Sequence, residues 1–130
     1  METLEEFIDK HQKSEEKKQS FVDYLYYLMD KYGYDKSSDL YNQANISRQL
    51  YSSIISGKSH PSLNVCLKIA FALKVNNHEC KYLLKKAGFT LASSNNFALI
   101  IRYAFENHIY NIDDVNELLE KNGYADSLII

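Results

Sequence analysis

"ANISRQLYSSIISGKSHPS", residues 44–62, decides the fold of this chain. Asn45 is one of the few residues that tolerates a left-handed backbone, Ile46 is apolar, and Ser47 is a preferred helix N-cap. Tyr51 and Ile54 then recur at helical spacing, and Gly57 supplies the stop. Pro61-Ser62 marks a new helix start. The stretch predicts a tight turn at Asn45-Ile46, a helix from Ser47 to about Ser56, and a further helix beyond it.

Outward from this stretch, the same signals recur. A second helix occupies about Ser38 to Ala44. Ahead of it, "SFVDYLYYLMDKYG" (20–33) opens with a capping-box pair, Ser20 and Asp23. It carries Phe21, Leu25, Leu28, Met29 and Tyr32 on one face and ends at Gly33. After Ser62, Leu63, Cys66, Leu67, Ala70 and Leu73 define a fourth helix. Cys80, Leu83, Leu84 and Ala87 define a fifth, from about Asn77 to Ala87, with Gly88 closing it. "SSNNFALIIRYAFENH" (93–108) is a sixth, with Phe97, Ile100, Ile101 and Ala104 inward. The last starts at Asn111, with Asp113 and Asp114 complementing the helix dipole. It buries Val115, Leu118 and Leu119 and stops at Gly123.

No segment longer than four residues alternates with a β period, so the expected fold class is all-α. A five-helix core at about 20–88 is extended by two helices at about 94–106 and 112–122. Residues 1–19 precede it as a short amphipathic helix, with Leu4, Phe7, Ile8 and His11 on one face, and a polar linker, "QKSEEKKQ". The charges of that linker alternate in sign, which does not suit a basic nucleic-acid arm. The expected division is 1–19 as an N-terminal extension, 20–122 as one helical domain and 123–130 as an apolar tail.

Composition bounds the function. One proline and four glycines in 130 residues suit helices joined by short polar turns. No apolar run approaches the ~18 residues that span a bilayer, so no membrane partner is expected. The N-terminus "METLEEFIDK" lacks a cationic start and an apolar signal core. Cys66 and Cys80, each within an apolar helical pattern, read as reduced core thiols of a cytoplasmic protein. The net charge of −2 is unevenly spread: residues 63–89 carry +4, between an acidic N-terminal third and an acidic C-terminal segment. A basic middle between acidic ends argues against strong nonspecific binding to nucleic acid.

Helix, tight turn and helix at this spacing form a helix-turn-helix. Residues 20–75 resemble the phage-repressor-like, Xre-type family of DNA-binding domains. The resemblance rests on Leu40, Ala44, Asn45, Ile46, Ser47, Ile54 and Gly57, then "PSL" and "LKIAFAL", in unbroken register from Leu40 to Val75. Two positions depart from the family: Tyr41 replaces a small residue where the second and third helices cross, and Ile55 stands where glutamate is common. With "LLKKAGFTLASSNNFALIIRYAFENHIYNIDDVNELL" behind the motif, the chain is similar over roughly 20–120 to a variant bacterial subfamily. Its members occur alone or attached to signalling domains such as macro domains.

The resemblance implies double-stranded DNA as partner, with the start of the third helix in the major groove. Arg48, Gln49 and Ser53 take the base-contacting positions; Arg48 suits guanine and Gln49 adenine, each worth about 1–3 kcal/mol of discrimination. Ser47 and Ser52, Lys58 and His60, and the backbone amides near Ser37 and Ser38 take the phosphate positions. Residues 37–62 supply only Arg48 and Lys58 as cations, so a homodimer is expected, through the C-terminal helices or the tail.

The alternative is a protein-interaction or sensor module that reuses the scaffold. Tyr24, Tyr26, Tyr27, Tyr32 and Tyr34 crowd the first helix and its end, and tyrosine suits interfaces because it joins apolar area to a polar tip. No enzyme is expected. There is no glycine-rich loop, His11, His60, His78 and His108 share no metal-ligand spacing, and neither a cofactor nor a metal is implied.

Overall fold

A computed structural model describes residues 1–8, 20–92 and 94–130 of the chain. His11, the polar run 12–19 and Ser93 lie outside the described residues. The described residues are all-helical, with no strand.

Residues 4–8 are helical, opened by reciprocal bonds between Thr3 and Glu6. The rest comprises α1 (Phe21–Lys31), α2 (Ser37–Gln43), α3 (Arg48–Ile55), α4 (Leu63–Leu73), α5 (Asn77–Lys86), α6 (Asn96–Glu106) and α7 (Ile112–Lys121). A 3-10 turn, Ala125–Ser127, follows. Local chemistry sets these boundaries. Ser20 and Asp23 form the expected capping box of α1, and Asn76 with Glu79 forms another at α5. Ser47, Ser62, Asn95 and Asn111 cap α3, α4, α6 and α7 by accepting backbone N–H groups of the first turn.

Helix α4 is the axis of the core. Cys66, Leu67, Ile69, Ala70, Phe71, Ala72 and Leu73 are all buried, which is wider than the single stripe that its spacing predicts. A helix apolar on most sides is covered on most sides: α2 and α5 both pack against α4, and α1 packs against α5. The C-terminal pair α6 and α7 pack on each other and reach this core through α5 and α6.

Helix α6 is rotated from its expected face. Ile101 and Ala104 are buried as expected, but Phe97 and Ile100 are half-buried, while Ala98 and Phe105 take the inner positions. The cause is an aromatic stack: Phe105 lies flat on Phe71 of α4, ring centroids 4.3 Å apart. Phe97 turns to the rim against Tyr124. The tail also joins the core, because Ile129 is buried against it.

Candidate nucleic-acid interface

Helices α2 and α3 are joined by a turn whose backbone bonds are internal. The Ala44 amide donates to the Leu40 carbonyl at 2.8 Å, and the Ile46 amide donates to Tyr41 at 2.8 Å. Between them Asn45 adopts φ 55°, the left-handed conformation that its side chain tolerates. Ile46 is buried and pins the turn. Ser47 Oγ then accepts the Leu50 amide at 3.1 Å and starts α3.

Tyr51 and Ile54 are the buried residues of α3. The Tyr51 hydroxyl donates to Ser37 Oγ at 3.3 Å, tying α3 to the first turn of α2. Tyr41, large for a close helix crossing, lies half-buried at the edge with its ring 5.4 Å from that of Tyr51. Ile55 is half-buried against the core. With this face turned inward, Arg48, Gln49 and Ser52 are exposed beside the exposed cap Ser47. Arg48 makes no ion pair with any described residue.

The chain leaves α3 through Gly57 at φ 81°. The amides of Lys58 and Ser59 fold back on the Ser53 carbonyl at 2.9 and 3.1 Å. The Ser53 and Ser59 hydroxyls lie 2.7 Å apart, so half-buried Ser53 shares its hydroxyl with this loop. Lys58 is exposed. His60 Nε2 lies 2.6 Å from the Ala87 carbonyl; the carbonyl can only accept, so this nitrogen carries the proton and anchors the loop to the end of α5. The opposite ring nitrogen, Nδ1, is left to face a ligand, and it donates to a phosphate oxygen only in the doubly protonated ring.

At α2, Ser37 is exposed and Ser38 half-buried. The cap Lys36 makes no side-chain capping bond and is exposed. It is a cation that the expected site omits, because the sequence motif begins after it. Against Lys36, Arg48 and Lys58 stand the exposed Asp35 and Asp39. The structure thus brings Ser47, Arg48, Gln49 and Ser52 together on one exposed helix start, while Ser53 and His60 serve partly to hold the following loop.

A second polar cluster, absent from the sequence-based expectation, joins α1 to α5. Glu79 is the one buried charged residue among those described. It accepts Lys31 Nζ at 2.7 Å and the Tyr32 hydroxyl. Burial pushes the Glu79 carboxyl up, but the bonds from Lys31, Tyr32 and the Asn76 amide outweigh burial and hold it below the usual range. Burial, with Glu79 nearby, pushes Tyr24 to about 12. Among the described residues, no group of three or more His, Cys, Asp or Glu could hold a metal ion. No helix of the described residues is long and apolar enough to cross a membrane.

Residues 25–76, from within α1 to just past α4, match the helix-turn-helix family. No curated protein and no solved structure matches the chain.

Proposed function

We propose that the helix-turn-helix domain of residues 25–76 binds double-stranded DNA sequence-specifically, as a cytoplasmic transcriptional regulator without enzymatic activity. One observation carries this reading: Arg48 and Gln49 stand exposed on the first turn of α3, directly after the cap Ser47, while Tyr51 and Ile54 anchor the opposite face. Such a helix start presents its side chains to base edges in the major groove. Arg48 and Gln49 are the main base contacts, and Ser53 is a lesser one because Ser59 shares its hydroxyl. Ser37, Ser38, Ser47, Ser52, Lys58 and His60 are the proposed backbone contacts.

Three exposed cations per chain form a small footprint, since phosphate contacts supply much of the affinity of DNA binders. A homodimer doubles it. The surface offered for pairing is a groove on α6 and α7 lined by Leu99, Ile100, Tyr103 and Leu118, with Asn96 and Asn122 at its rim. Leu99 and Tyr103 are 44% and 53% exposed there, an apolar area that a second copy would cover.

The exposed Tyr26, Tyr27 and Tyr82 favour a second reading, a protein-interaction or sensor module. The two readings separate in a salt titration. DNA binding through this face gives a log–log slope of about −0.9 per neutralised phosphate. No shift of genomic duplex at low salt, with folded protein at micromolar concentration, favours the interaction module.

A further inference from the structure

The C-terminal tail is held in an unusual way for an apolar segment. The Asn116 amide on α7 reads the main chain of one tail residue at both polar groups. Asn116 Nδ2 donates to the Ile129 carbonyl at 2.8 Å, and Asn116 Oδ1 accepts the Ile129 amide at 2.7 Å. From α4, Asn64 Nδ2 donates to the Leu128 carbonyl at 3.4 Å. Leu128 is extended, with φ −67° and ψ 150°, and Ile129 is 2% exposed. Two side-chain amides on two helices thus do what a neighbouring β-strand does for an added strand, and an apolar pocket takes the alternate side chain.

The position of this groove gives it consequence. Ile129 lines a cleft of about 520 Å³ whose other wall is the helix-turn-helix turn, Gln43, Ala44 and Asn45, with Lys68 and Asn116 alongside. The tail therefore spans from the C-terminal pair to the back of the turn that orients α3.

We infer that residues 124–130 are a displaceable latch, and that the α4–α7 groove is a recognition site for an extended segment with an aliphatic residue at the Ile129 position. The occupant is the chain's own tail. The Asn116 amide reads the main chain of that segment, and the burial of Ile129 sets the aliphatic requirement at its position. Opening the latch removes the wall of that cleft formed by Ile129 and Ile130 and leaves every bond within α2 and α3 in place.

Two measurements on the full chain test this. In native-state hydrogen exchange, the Ile129 amide exchanges by local opening, about 100-fold or more faster than the amides of Leu67 and Leu83. Equal protection at all three overturns the latch. In the second, Ile129→Asp disables the tail, and a fluorescein-labelled peptide of residues 124–130 is titrated by anisotropy. Ile129→Asp binds the peptide at least about tenfold more tightly than the unaltered chain, whose own tail competes. Adding Asn116→Ala removes the binding, as does Asp in place of isoleucine in the peptide. Folded Ile129→Asp protein that shows no saturable binding overturns the inference. Loss of its helical circular dichroism also overturns it, since the tail is then part of the cooperative core.

Discussion

Glu79 of α5 accepts the Lys31 ammonium of α1 at 2.7 Å across 48 residues of sequence. The Glu79 side chain is 6% exposed and that of Lys31 45%, so the carboxylate is buried while its partner stays half in water. Glu79 also accepts the Asn76 amide at 3.0 Å, closing the α5 capping box. One carboxylate therefore starts a helix and fastens α1 to it.

Glu79→Gln tests that double role. Loss of charge-assisted bonds to a buried acceptor costs about 1–3 kcal/mol at neutral pH. The folded-state carboxyl titrates below its usual range, so its stabilisation is complete above the unfolded value of about 4.3 and is lost as pH falls through the folded value. Lys31 is raised, first by its bond to Glu79; its contribution is present below about 10.4 and lost as pH rises through the folded value. Urea unfolding at pH 7 and pH 3 should show a gap between wild type and Glu79→Gln that narrows in acid. An equal gap at both pH values refutes the assignment.

Asn45 offers a backbone test. At φ 55° glycine fits without strain, whereas a β-branched residue is forced into a region costing about 1–2 kcal/mol. Asn45→Gly should hold or raise the melting temperature, and Asn45→Val should lower it. A Val variant as stable as wild type shows that the turn relaxes.

Arg48 and Lys58 divide the proposed DNA contacts into two kinds. Arg48→Ala should relax base preference at one position of a selected site, at about 1–3 kcal/mol. Lys58→Ala should weaken all duplexes about equally and reduce the salt slope by about one. The same outcome for both variants refutes direct readout by Arg48.

The thiols should be inert. Burial pushes both Cys66 and Cys80 to about 12, and the thiolate is the reactive form. At pH 8, Ellman's reagent should label neither in native protein and both in guanidinium. Fast native labelling shows that α4 and α5 separate readily.

Leu99→Glu tests the proposed pairing surface. A carboxylate in the middle of the α6–α7 groove would be desolvated by a second copy, so light scattering should show a shift from dimer to monomer. An unchanged mass places the contact elsewhere or shows that none forms.

What could be read from sequence shares one physical feature: short range. Ser20, Ser47, Ser62 and Asn111 act within three residues, Asn45 through its own φ, and apolar positions through a helical period. These fixed the helices, the turn and the exposed stance of Arg48 and Gln49 on α3. Tertiary packing decided the rest. Which face of α6 is inward depends on Phe105 meeting Phe71. The bonds Lys31–Glu79, His60–Ala87 and Asn116–Ile129 join residues 48, 27 and 13 positions apart. No periodicity relates such partners. They meet because helices pack at angles set by the whole core, and a buried polar group brought into that core must find a partner there.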